Sequence, residues 1–225
     1  MKKILLSFII ILSANLLYAG GPLKFRAGAL VLGTNHWMLS SGYSYTIGLT
    51  EYELTPQFTF NMNPGIALGV NFTDKLGVEV DIIFGKYKQD WVQEIKSQTG
   101  VDEFKYTTEI SKIDIPILFK AGGLMYFEAG PQFTIIQEVE EIIEGQSEPF
   151  KSSDYYNSSQ IFGVLGTGVS IEIPKIARID GGLRLGYGFQ DLNAYYDDGS
   201  GFIIFNNQAV NQAFWALKIM AVHEF

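Results

Sequence analysis

Cysteine is absent from the 225 residues, which excludes both disulfides and thiolate metal sites. Charge is scarce: Asp, Glu, Lys and Arg make up 18% of the chain, and the mean hydropathy is +0.13. With 14% aromatic residues, such a composition fits neither a disordered chain nor a protein with a strongly charged surface. Basic residues are outnumbered 16 to 24, a balance that disfavours nucleic acid as a partner. Long apolar runs are missing beyond the first twenty residues, because charges or glycines break every later candidate for a membrane helix. A membrane location would therefore require a closed β-barrel, which leaves no backbone group unpaired in lipid.

The N-terminus sets the compartment. Met1, Lys2 and Lys3 form a positive start, Ile4 to Leu17 an apolar run, and Leu17-Tyr18-Ala19 a small-residue cleavage site. This is the layout of a secretory signal peptide, and the run is shorter than the roughly 20 residues of a spanning helix. The expected organisation is a signal peptide over 1–19 and one barrel domain over 20–225. Loss of Lys2 and Lys3 with the leader takes the net charge from −8 to −10.

A spanning strand needs about 9–11 residues whose lipid face is apolar and whose lumen face is polar or small. Four segments fit: 76–84, 112–120, 125–135 and 177–189. In the first, Leu76, Val78, Val80, Ile82 and Phe84 alternate with Gly77, Glu79, Asp81 and Ile83. Four weaker segments, 25–31, 66–72, 163–171 and 213–225, follow the same template, and no chosen outward face carries Asp, Glu, Lys or Arg. The expected fold is all-β, an eight-stranded antiparallel up-and-down transmembrane β-barrel. Short connections near 73–75, 121–124 and 174–175 alternate with long ones at 33–60, 88–108, 137–160 and 191–211, as periplasmic turns alternate with external loops. Phe25, Phe72, Phe119, Phe127 and Phe225 fall at the turn ends of their strands. Phe58, Phe60, Tyr187, Phe189 and Trp215 fall at the loop ends, so two aromatic girdles are expected. Pro116 and Pro131 lie within strands, and local bulges are expected there.

The inward positions collect charge: Arg26, Glu79, Asp81, Lys112, Asp114, Lys120, Glu128, Glu172, Arg178, Asp180, Arg184, Lys218 and Glu224. An eight-stranded barrel is just wide enough for side chains to fill it, so these groups are expected to pair across the lumen as a polar network. Gly28, Gly69, Gly130, Gly166, Gly168, Gly182, Gly186 and Gly188 on the same face leave them room. A proton or ion path through these groups is the competing reading.

The runs Ile113-Asp114-Ile115-Pro116-Ile117-Leu118 and Phe127-Glu128-Ala129-Gly130-Pro131-Gln132-Phe133, the Gly166-Thr167-Gly168 segment, the Arg184-Leu185-Gly186-Tyr187-Gly188 strand and the terminal Phe225 resemble the PorT-like outer-membrane β-barrel family. The resemblance spans most of the mature chain and is strongest over 76–225. Around 38–56 the chain departs from the family. The resemblance implies a small outer-membrane barrel associated with type IX secretion, and it implies Phe225 as the C-terminal barrel-assembly signal. The implied partners are outer-membrane lipid, the barrel-assembly machinery and secretion-system proteins, around a monomeric barrel.

Other function classes compete with this one. A lipid-modifying enzyme would need a histidine with a serine or carboxylate at a membrane interface. Only His36 and His223 exist. His36 is expected at the start of the first loop near Ser40 and Ser41 without an acid partner, and His223 faces outward as an interfacial filler. No catalytic residue, metal ligand or cofactor is expected. A binding or adhesion surface is the alternative class. It is suggested by Glu138, Glu140, Glu141, Glu144 and Glu148 interleaved with Val139, Ile142 and Ile143, where a hairpin above the membrane could present a protein-contact edge. Asp197-Asp198-Gly199-Ser200-Gly201 resembles a divalent-cation turn without EF-hand spacing. A soluble lipocalin-like carrier would invert the faces, with large apolar groups inside and charges outside.

Overall fold

The computed structural model describes residues 23–39, 44–47, 49–144, 149–151, 153, 156–173, 177–192 and 211–225. The leader over 1–19, Ser40, Ser41, Glu148, the 174–175 turn and the Asp197 to Gly201 turn lie outside them. Among the described residues eleven strands form one sheet: β1 (Lys24–Leu39), β2 (Ser44–Ile47), β3 (Thr50–Pro56), β4 (Asn61–Asn71), β5 (Leu76–Ser97), β6 (Gly100–Gly122), β7 (Met125–Ile143), β8 (Phe150–Lys151), β9 (Ser159–Ile173), β10 (Ala177–Gly188) and β11 (Asn211–Glu224). Eight of them close a ring, in the order β1, β4, β5, β6, β7, β9, β10, β11 and back to β1. Every neighbouring pair is antiparallel. Closure removes the sheet edge, and the eight segments expected to span each contribute one strand of the ring.

The outward face is the apolar one. Phe127, Ile219 and Leu165 are 67%, 66% and 65% exposed, whereas Asp81 and Lys218 on the inward face are 0% and 1% exposed. A lipocalin-like carrier requires the reverse. The shape of the two ends follows from turn chemistry. In the β4–β5 turn the Thr73 hydroxyl accepts from the Lys75 and Leu76 amides at 3.1 and 3.0 Å. In the β6–β7 turn Gly122 adopts φ +135°, where a β-carbon would run into the Met125 carbonyl. The chain also ends here, with the Phe225 amide donating to the Phe25 carbonyl at 2.9 Å.

At the other end the strands continue past any membrane span, so three of the four long connections are in part strand. β5 and β6 keep one register from Leu76↔Ala121 through Ser97↔Gly100, with rungs missing only at Asp81 and Ile82. With 22 and 23 residues they are about twice the 9–11 residues a barrel strand needs to cross. The expected 88–108 loop is therefore a two-stranded ribbon. β3 adds to the far side of β5, β2 adds to β3, and β7 with β8 flanks β6. A six-stranded wall thus stands above the ring, and β2 and β3 supply one side of it.

The prolines carry no bulge. The β6–β7 register is the same at Pro116↔Gln132 and Phe119↔Ala129, and only the rungs between are missing. Each proline costs a donor, and the ladder absorbs this by losing rungs instead of adding a residue. The bulge is higher up, between Ser111 and Lys112, where Lys112 faces Ile136 but Ser111 faces Glu138. Gln137 is the extra residue. It reverses the parity of β7, so Val139 is fully buried and Glu138 and Glu140 face outward.

Candidate functional site: the barrel interior and the wall above it

Strand alternation on the ring drives charged side chains inward from six strands, and the lower half of the lumen becomes one ion-paired cluster. Arg184 on β10 is its centre. Its Nη1 donates to Asp81 at 2.7 Å and its Nε to Glu128 at 2.5 Å, while Nη2 reaches Glu79 at 3.5 Å. Lys218 on β11 donates to Glu79 and lies 3.4 Å from Glu128. Arg26 on β1 approaches Glu79 at 3.5 Å. Lys120 on β6 donates to Asp180, lies 3.8 Å from Glu79 and sits 3.7 Å from the centroid of the Tyr126 ring. Arg178 joins from below, donating to Asp180 at 2.8 Å and to the Ser170 hydroxyl at 2.6 Å. Glu79 thus faces four cations, each on a different strand. Ions in such a dry interior hold only while every partner is present, and the cluster ties the ring together across its diameter.

Lys112 and Asp114 form a separate pair at 3.0 Å, higher in the lumen, with the Thr134 hydroxyl donating to Asp114 at 2.5 Å. Glu172 and Glu224 are exposed at the turn end, where Asn71 Nδ2 donates to Glu224 at 3.2 Å. Of the inward charged positions, then, nine meet in the main cluster, two pair apart from it and two lie at the rim.

Sequence reasoning missed two features of the interior. Between the cluster and the mouth lies an apolar layer that includes Leu32, Ile83, Phe162 and Phe214. Several glycines also accommodate rings. A β-carbon on Gly168 or Gly182 would strike Tyr126, and one on Gly186 would strike Phe214; only Gly69, beside Arg26, and Gly166, beside Glu128, make room for charged side chains. An aromatic residue facing a glycine across strands was the available signal. Phe60 on the lipid side likewise lies over Gly33 and 6.1 Å from Trp215.

His36 is not in a loop. β1 runs on to Leu39 because its partner β11 starts at Asn211, so His36 points inward with its ring centroid 4.5 Å from Tyr87 and 5.0 Å from Phe214. Its Nδ1 has no hydrogen-bond partner, and no ion pair involving His36 occurs among the described residues. His223 is exposed at the turn end, edge-on to Phe225 at 4.8 Å.

Above the ring the two faces exchange character. On the inner face Met38, Leu54, Tyr87, Trp91, Ile110, Val139, Tyr156 and Leu192 form a second buried core. Trp91 donates to the Thr108 hydroxyl at 3.1 Å, and Tyr156 donates to Glu141 at 3.3 Å. Burial and that carboxylate push the Tyr156 phenol well above its ordinary range. The outer face carries a charged ladder. Lys86 and Lys88 share Glu109 at 2.5 and 2.7 Å, Lys96 meets Glu53 at 2.5 Å, and Lys151 meets Glu138 at 2.5 Å. The Glu53 hydrogen bond holds the Lys96 ammonium above its usual value.

Residues 25–193, well over half the chain, match the family described as "Outer membrane protein beta-barrel domain". No curated protein matches. Solved structures with a similar chain path include Neisserial surface protein A (NspA), 12% identical with a TM-score of 0.41, covering 89% of this chain and 99% of that one. The outer membrane protein OprG from Pseudomonas aeruginosa is 12% identical with a TM-score of 0.41, covering 90% and 95%. Ail, the attachment invasion locus protein of Yersinia pestis, is 14% identical with a TM-score of 0.33, covering 88% and 98%.

Proposed function

The chain belongs to the outer membrane protein beta-barrel domain family, and we propose that it is a non-enzymatic, non-conducting envelope component of the PorT-like kind, associated with type IX secretion, whose working surface is the strand wall outside the membrane. It is an outer-membrane β-barrel protein. In this reading the leader over 1–19 exports the chain, Phe225 is read by the barrel-assembly machinery, and the mature barrel is monomeric. The observation that carries the reading is the length of β5 and β6, whose pairing runs to Ser97↔Gly100. Strand length beyond the span does nothing for anchoring in lipid, so its use lies outside. The lumen supports the same division of labour, because a core filled by nine clustered charges and an apolar layer is a seal and an anchor.

The test replaces residues 90–107 with a tight turn. The expected result is a heat-modifiable barrel in the outer membrane that no longer supports export of type IX cargo. Normal export from that strain would overturn the proposal. Steady single-channel conductance of the full-length protein in planar bilayers would overturn its non-conducting part.

A further inference from the structure

Above the point where β7 stops, β6 is paired on one side only. Its ladder with β7 begins at Tyr106↔Ile143, and a last bond joins the Glu144 amide to the Lys105 carbonyl at 3.0 Å. Beyond it Val101, Asp102, Glu103, Phe104 and Lys105 are all exposed, and among the described residues no strand pairs with their outer edge. Unpaired backbone at a sheet edge is a template for another strand.

The side chains say what kind of strand. Glu53, Glu94 and Glu103 stand in one row across β3, β5 and β6, directly opposite one another on the outer face. Like charges so placed repel; among the described residues Lys96, 2.5 Å from Glu53 and 3.6 Å from Glu94, offsets the first two, and Glu103 has Lys105 at 3.6 Å. A fourth strand would continue this row, and the residue opposite Glu103 is best a lysine or arginine. On the inner face Phe104 is 49% exposed and lies in line with Gln93 and Leu54, so its neighbour is best apolar or aromatic. Asp102, on the same face as Phe104, asks again for a cation. A second copy of this chain does not meet these demands. Antiparallel self-pairing centred on Glu103 sets Glu103 against Glu103, and the register centred on Phe104, which would set Glu103 against Lys105, also needs the edge at Tyr106, which Ile143 already occupies.

We infer that the 101–105 edge of β6 is a docking site for an extended segment of another protein that sets adjacent basic residues opposite Glu103 and Asp102 and an apolar or aromatic residue opposite Phe104, and adds to the wall as a strand. The inference rests on the wall being the working surface and names the site and the chemistry of its partner. An edge acid rejects acidic strands and like copies while accepting a cationic one, so repulsion as well as attraction sets the selectivity.

The test uses the full-length mature protein in lipid nanodiscs. The probe is a peptide that places two adjacent lysines between tyrosine and valine, and the comparison is the same peptide with glutamate for both lysines. The lysine peptide is expected to bind and to slow amide exchange at 101–105. Glu103→Lys is expected to weaken that binding about tenfold while the barrel keeps its heat-modifiable mobility. Because the chain lacks cysteine, a Phe104→Cys variant can be crosslinked at one site to a peptide bearing a thiol-reactive group. Equal binding of the two peptides, binding without protection at 101–105, or crosslinking of two copies of the Phe104→Cys variant to each other in preference to the peptide would overturn the inference. Loss of export on truncating 90–107 with no peptide binding would sink the edge and leave the wall. Peptide binding at the edge with normal export after truncation would sink the wall's role and leave the edge.

Discussion

β5 passes through two environments, and its lower and upper halves are mirror images in polarity. From Leu76 to Phe84 the outward positions are apolar and the inward ones include Glu79 and Asp81. From Lys86 upward the outward positions are Lys86, Lys88, Asp90, Glu94 and Lys96 with only Val92 apolar, and the inward ones include Tyr87 and Trp91. No register shift separates the halves on this strand. What changes is the solvent outside, lipid below and water above. Each half buries whatever its surroundings reject: ions in the ring and rings of carbon in the wall. On β7 the same exchange is assisted by the Gln137 bulge, which turns Val139 inward.

The sharpest way to break the comparison is to damage the interior of one half. Arg184→Met leaves Asp81 and Glu128 buried without their main cation, and breaking a buried ion cluster costs about 3–5 kcal/mol. The loss is expected in urea unfolding from lipid vesicles, and Asp81→Asn with Glu128→Gln added to Arg184→Met should recover a large part of it. No loss in the single variant would mean that the cluster does not hold the ring together. Trp91→Ala removes the largest ring of the wall core, a change worth about 3–5 kcal/mol in a closely packed core. Its effect should stay above the membrane: faster amide exchange in β3 and in the upper halves of β5 to β7, with unchanged heat-modifiability of the barrel. A barrel that fails to close would show that the two halves fold as one unit.

The same outward face of β5 gives a direct comparison of solvents. Val80→Lys puts a charge on the lipid face near mid-span and is expected to cost about 2–4 kcal/mol. Val92→Lys, further along the strand and facing water, should cost well under about 1 kcal/mol, and what remains comes from Lys105 directly opposite. Equal costs at the two positions would place the membrane boundary elsewhere.

The ring was legible in the sequence because lipid imposes a one-sided rule, an apolar outer face with period two, and eight segments obey it. The wall obeys the inverse rule. A search for apolar outward positions therefore ends near Phe84 and leaves 88–108 as a loop, although Lys86, Lys88 and Asp90 still alternate with Tyr87, Gln89 and Trp91. The inward charges could be named one by one, but their partners could not, because Arg184 and Asp81 meet only when the ring closes across 103 positions of sequence. The glycines misled for a related reason. Gly168 accommodates Tyr126 from the neighbouring β7, and Gly182 accommodates the same ring from two strands away, so which residue fills the space is a property of register. Pro116 and Pro131 argued for a bulge on local grounds, whereas the bulge was placed at Gln137 by the need to re-aim β7 where the solvent changes.

The smallest expected effect separates the halves by pH. Tyr156 is buried in the wall core and its phenol is raised well above the ordinary value of 10.0. The folded wall therefore holds this proton more tightly than the unfolded chain does. Its contribution is intact below the unfolded value and is lost as pH rises beyond it, because the unfolded phenol ionises while the buried one cannot. Trp91 belongs to the same core, so with Trp37 and Trp215 replaced by phenylalanine its fluorescence alone reports on the wall. A shift toward solvent-exposed emission is expected above about pH 10, with the barrel still heat-modifiable, and Tyr156→Phe should remove it. If the shift persists in Tyr156→Phe, a different group governs the alkaline loosening. If the barrel opens at the same pH, the polarity exchange along β5 does not divide the molecule into separately stable halves.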